Sequence, residues 1–98
     1  MTHGKSDIHI AAEKGDLRHF RERVEAGASP NARDVGDRTP LHCAANKGRA
    51  SIVRYLLHEV SGVDIDAEDR QGWTPLHCAA NKGHLGRTKG VRYIFPIR

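Results

Sequence analysis

The sequence predicts an all-α fold, a solenoid of two and a half to three stacked helix–turn–helix repeats. Three observations carry that prediction. The ten residues from Thr39 to Gly48 (TPLHCAANKG) recur unchanged from Thr74 to Gly83, at an offset of 35. A looser copy, Ser6 to Gly15 (SDIHIAAEKG), lies 33 residues upstream of the first of these. Behind the first two copies, apolar residues follow at helical spacing. A fixed period in this range is the signature of a repeat architecture, in which each unit buries its apolar face only against its neighbours.

In unit one, Ser6 stands where the later copies carry threonine, and Asp7 where they carry proline. Gly15 ends the first helix. Leu17, Phe20 and Val24 form the apolar stripe of the second helix, while His19 and Arg23 stand where unit two has Ile52 and Leu56. A polar outer face is what a terminal, capping unit requires. In unit two, Thr39 precedes Pro40. Proline at the first helical position fixes φ where no backbone donor is needed, so a helix starts there. The pairs Ala44-Ala45 and Ala79-Ala80 keep the first helices thin, so neighbouring units approach closely and all four alanines are expected inside. Gly48 and Gly83 end these helices. The second helix of unit two is read over Ile52-Val53-Arg54-Tyr55-Leu56-Leu57, with two extra residues around His58 to Ser61 lengthening the turn behind it.

Unit three repeats the first helix from Thr74-Pro75 and then departs from the pattern. In ungapped register Arg87 and Thr88 fall opposite Ile52 and Val53, yet Val91 to Phe95 resembles Val53 to Leu57 at an offset of 38. A three-residue insertion, with Gly86 to Gly90 as loop and a short helix ending before Pro96, accounts for this; a frayed tail is the alternative. The expected boundaries are about 6–38, 39–73 and 74–98, with the last unit atypical from residue 86.

Thr-Pro-Leu-His-x-Ala at a period near 33 resembles the ankyrin-repeat family, over Ser6 to about Leu85. Further family marks fall in register: Gly27 and Gly62 behind the second helices, Asn31 and Asp66 at the loop entries, and Asp34 and Asp69 three residues later. Asp37 stands where the next unit has Gly72, at a turn position that favours φ > 0, which aspartate tolerates better than most residues. The resemblance implies β-hairpin-like loops between units. It also implies that His9, His42 and His77 order their turns by hydrogen bonding.

The resemblance implies a function too. In this family targets contact the hairpin tips and the outward face of the first helix, so the chain is expected to be a protein-binding adaptor, scaffold or inhibitor. Carried over by position, the tips are Val35, Gly36 and Arg38, then Arg70, Gln71 and Trp73. The helix positions are Glu13 and Lys14, Asn46 and Lys47, and Asn81 and Lys82. Trp73 is the sole tryptophan, a residue type enriched in interface hot spots. Its indole either meets a partner or packs on its own hairpin. Lys14, Lys47 and Lys82 should form a row near Arg38 and Arg70, partly offset by Asp34, Glu68 and Asp69. A partner with an acidic or mixed surface fits such a field.

Composition narrows the alternatives. The formal charge of +4 lies wholly in Arg87, Lys89, Arg92 and Arg98; the remaining twelve basic and twelve acidic residues balance. Nucleic-acid or anionic-surface binding would therefore fall to the acid-free tail from Gly86, which carries Tyr93 and Phe95 but no nucleic-acid motif. Adjacent His42-Cys43 and His77-Cys78 point about 100° apart on a helix and lack zinc-site spacing, so no metal or other cofactor is expected. Cys43 and Cys78 read as small core residues on neighbouring helices, too far apart for a disulfide. No catalytic motif is visible, and Glu22, Glu25, Glu59, Asp64 and Glu68 read as a solvated surface. Neither a membrane span nor a secretory signal is apparent. An intracellular, cytoplasmic protein is expected, with the nucleus as the other open compartment. A monomer is expected, with self-association through the apolar tail as the rival.

Overall fold

The computed structural model describes residues 7–82. Among them are five helices: α1 (Asp7–Lys14), α2 (Leu17–Glu25), α3 (Pro40–Lys47), α4 (Ala50–Glu59) and α5 (Pro75–Asn81). They form an all-α repeat stack with no strand among the described residues. α3 packs between α1 and α5, while α2 and α4 form the second layer behind α1 and α3. The proposed loop over 86–90, the terminal helix, the basic tail and Gly83 all lie outside the described residues.

The starts of α3 and α5 follow from their sequence. The Thr39 and Thr74 hydroxyls accept from the backbone N–H three residues on, with proline at the next position. Such a cap satisfies one of the donors that a helix start leaves unpaired. α3 stops at Gly48, which adopts a left-handed conformation at φ 71°. Gly15 does the same at φ 73°. There a Cβ would lie 2.8 Å from the Arg49 side chain, which crosses to the Glu13 carbonyl, so glycine is needed for both conformation and space. The two extra residues of unit two divide: α4 runs one residue further than α2, and one more residue separates its end from Gly62.

The core is the seam between layers: Ile8, Ala11, Ala12, Phe20, Leu41, Ala44, Ala45, Ile52, Val53, Leu56 and Ala79 are buried. Each large side chain in it contributes about 1.5–3 kcal/mol. Phe20 meets Tyr55 edge-on at 6.1 Å between ring centres, joining α2 to α4. Ala44, Ala45 and Ala79 sit inside as expected, but Ala80 is exposed. The reason is positional. Ala12 and Ala45 are covered by α2 and α4, whereas the described residues include no second helix behind α5. Leu76 is 46% exposed although its counterpart Leu41 is fully buried. At the opposite end, the polar face of unit one gathers on Asp7, whose carboxylate lies 3.6 Å from Arg23 and 3.8 Å from His19.

Candidate partner-binding face

The candidate face is built by two loops of the same construction. In the first, the Asp34 carboxylate accepts from the N–H groups of Gly36 and Arg38, both at 2.9 Å, while Asp34 N–H donates to the Arg38 carbonyl at 3.0 Å. In the second, Asp69 accepts from Gln71 (2.8 Å) and Trp73 (2.9 Å), and its N–H donates to the Trp73 carbonyl. An aspartate that bonds the backbone two residues on is an Asx turn, and it makes each tip rigid without a β-ladder. The turn needs a left-handed residue, supplied by Asp37 at φ 61° and Gly72 at φ 83°. Arg70 N–H donates across to the Gly36 carbonyl, so the tips lie side by side.

The motif histidines fix these loops to the helices. His42 Nδ1 accepts from Thr39 N–H at 3.1 Å, which leaves Nε2 to donate to the Trp73 carbonyl at 2.7 Å. His9 Nε2 reaches the carbonyls of both Ala32 and Arg38 at 2.9 Å. His77 repeats the inner bond with Thr74, but among the described residues no loop carbonyl meets its Nε2. Burial is the main reason that the His42 imidazole titrates below the usual histidine value, and the neighbouring Asp69 only partly opposes it. Asp69 is buried, which by itself would raise its carboxyl, but the Trp73 and Gln71 N–H donors, with His42 and Arg38 beside it, hold it below the usual carboxylate range.

Most of the residues named from sequence converge. Val35, Gly36, Arg38, Arg70 and Gln71 line a hollow of about 340 Å3 together with Asp34 and Asp69. Arg38, Asn46, Gln71, Trp73, Asn81 and Lys82 line a second of about 250 Å3, with Asp69 and Cys78 in its wall. Lys47 lines neither; it and Lys14 are exposed in the last turns of their helices, and Lys82 is exposed at the cap of α5. Trp73 is partly covered: its ring meets His77 edge-on at 6.4 Å and keeps 37% of its surface. Arg38 has a structural tie as well, lying 3.8 Å from the buried Asp69 carboxylate.

The sequence reading missed how far the loops bind one another. Asn31 Nδ2 donates to the Gly62 carbonyl at 2.8 Å and its Oδ1 accepts from Asp64 N–H at 2.9 Å. Arg33 donates to the carbonyls of Asp37 and Glu68, both at 2.8 Å. The 35-residue offset that pairs Asn31 with Asp66 and Arg33 with Glu68 was the available signal.

A third hollow, about 380 Å3, lies on the α2 and α4 side and contains none of these candidates. Its Arg21 is already engaged by Glu25 and Glu59 and lies over the Tyr55 ring. Among the described residues, no cluster of three or more His, Cys, Asp or Glu could hold a metal ion, and no helix is long and apolar enough to cross a membrane. Cys43 and Cys78 are buried, and burial pushes the Cys78 thiol up.

Comparison with known proteins agrees with this architecture. The family model for ankyrin repeats (3 copies) matches residues 8–96. The chain is 39% identical over 59 residues to "Serine/threonine-protein kinase 12" of Arabidopsis thaliana, covering 60% of this chain and 12% of that protein. It is 40% identical over 52 residues to "Potassium channel SKOR" of the same plant, covering 53% and 6%. It is 36% identical over 67 residues to its "E3 ubiquitin-protein ligase KEG", covering 68% and 4%. The chain thus matches only a small part of each of these relatives.

Proposed function

From the premise that this chain belongs to the ankyrin-repeat family, whose members are generally protein–protein interaction modules, we propose that it is a non-catalytic adaptor, scaffold or inhibitor that holds a partner protein against its hairpin tips and first-helix face. The observation that carries this reading is the convergence of eight separately chosen positions, Val35, Arg38, Asn46, Arg70, Gln71, Trp73, Asn81 and Lys82, on two adjoining hollows. The histidines and inward-turned aspartates fix the loops; of the eight, Arg38 meets Asp69 and Trp73 meets His77. The names of the relatives, a kinase, a channel and a ubiquitin ligase, share no chemistry that this segment would have to supply. An acidic or mixed partner surface suits the exposed Arg70, Lys47 and Lys82. A chain with only two cysteines, both buried, suits a reducing, cytoplasmic setting.

The reading is tested by quantitative capture from cell extract with the intact chain, with Trp73→Ala/Arg70→Glu, and with Arg54→Glu as a control on α4. Proteins retained by the parent and the control but lost from the double variant support it. Equal retention by all three would overturn it.

A further inference from the structure

One hollow narrows the partner further, an inference that rests on the tip and first-helix face being the binding surface. Charge does not select the ligand there. At the tips Arg38 and Arg70 stand among Asp34 and Asp69, with Asp37 and Glu68 exposed beside them, so that field is balanced. In the hollow lined from α3, α5 and the second loop, Arg38 lies 3.8 Å from the buried Asp69 carboxylate, and Lys82 is the one further charged residue of its lining.

What this hollow offers is hydrogen bonding beside an apolar surface. Asn46 and Asn81 hold the same place in the two identical strings, and the packing of α3 on α5 brings both to it. Gln71 joins them from the loop. None of these three carboxamides has a hydrogen bond among the described residues. A carboxamide both donates and accepts, as a peptide group does. Asn31 shows on this molecule what such a group does with a passing chain: it donates to the Gly62 carbonyl and accepts from Asp64 N–H, two residues on. The apolar surface is the Trp73 ring, 37% exposed, with Cys78 in the wall, whose thiol burial keeps neutral. Trp73 is held in advance. Its N–H donates to Asp69, its carbonyl accepts from His42, and its ring rests edge-on against His77. A large side chain that is already fixed loses little freedom on binding.

We propose that this hollow binds an uncharged, extended main-chain segment of the partner that carries one apolar side chain. The side chain lies on Trp73 beside Cys78, and the carboxamides of Asn46, Gln71 and Asn81 bond the peptide groups on either side of it. Because Trp73 is the sole tryptophan, the emission of the intact protein reports on the hollow directly. The probes are end-blocked Gly/Ser peptides with a central leucine, the same peptide N-methylated at that leucine and at the next residue, and the same peptide with aspartate in place of leucine. The leucine peptide should change Trp73 emission saturably, with a midpoint that moves less than about twofold between about 0.05 and about 0.5 M sodium chloride. N-methylation should weaken it about fivefold or more, and Asn46→Leu and Asn81→Leu about fivefold each with unchanged circular dichroism, the effect of roughly one hydrogen bond. Arg54→Glu should leave it unaltered. Equal binding of the N-methylated peptide would overturn main-chain capture, and tighter binding of the aspartate peptide that salt abolishes would show recognition by charge instead. If no peptide changes the emission while Trp73→Ala/Arg70→Glu still loses captured proteins, the main-chain proposal falls and the protein-binding reading stands. If both fail, both fall.

Discussion

His42→Ala and His77→Ala alter the same residue in two identical ten-residue strings, yet the structure predicts different consequences. Removing the His42 ring leaves the part-buried Trp73 carbonyl without its 2.7 Å donor and the buried Thr39 N–H without its 3.1 Å acceptor. Each unsatisfied buried group costs about 1–3 kcal/mol, and the vacated ring leaves a void that adds to this. The expected loss is about 3–5 kcal/mol, a large share of the roughly 5–15 kcal/mol that stabilises a typical domain. His77 is exposed and, among the described residues, makes the inner bond to Thr74 and an edge contact with Trp73, so its removal costs about 0.5–1.5 kcal/mol. Urea unfolding followed by far-UV circular dichroism at pH 7.5 measures both. A gap of about 2 kcal/mol or more is expected, and a His42→Ala chain that fails to fold beside a folded His77→Ala chain is the same result in extreme form. Two losses within about 0.5 kcal/mol of each other would refute the reasoning that His42, bonded to the next unit's loop, carries more of the fold than His77.

Other expectations follow from the same contacts. Because the imidazole of His42 titrates below its unfolded value of 6.5, the unfolded chain takes up its proton first. The stability this group contributes is therefore complete above pH 6.5 and declines as pH falls below it, and a pH series of melting temperatures should show His42→Gln flattening that decline. Asp69, also held low, adds a second loss below its unfolded value of 3.8 as it protonates. Asn31→Ala removes two bonds between loops and should cost about 1 kcal/mol, with faster hydrogen exchange at the Asp64 amide. Asp37→Gly relieves a positive φ of 61° and should stabilise by about 0.5 kcal/mol in thermal melts. Zinc or a chelator should leave the melting temperature unchanged, since the described residues assemble no ligand set.

What could be read in advance was whatever a single unit determines by itself. Thr39-Pro40 starts a helix, Gly48 ends it and Asp37 accepts a left-handed turn because the physics of each is local. The family resemblance then supplied the tip and helix positions, most of which line two hollows. Properties that depend on what lies next to a unit were not legible. Ala45 and Ala80 are identical in their strings, but α4 covers one and no described helix covers the other. Arg38 reads as a free loop cation and is in fact partly committed to Asp69, a carboxylate 31 residues away whose burial only the stacked structure reveals. Asn31 and Arg33 bind carbonyls and amides of the next loop, and backbone groups carry no sequence signal.

The central claim is that the tip and first-helix face, not the α2 and α4 side, receives a partner protein. A photo-crosslinking amino acid placed in turn at position 71, between the two hollows, and at position 54 on α4 tests it most directly. After irradiation in cell extract, position 71 should yield discrete higher-mass adducts that Arg70→Glu suppresses, and position 54 should yield none. Adducts from position 54 with none from position 71 would contradict the claim.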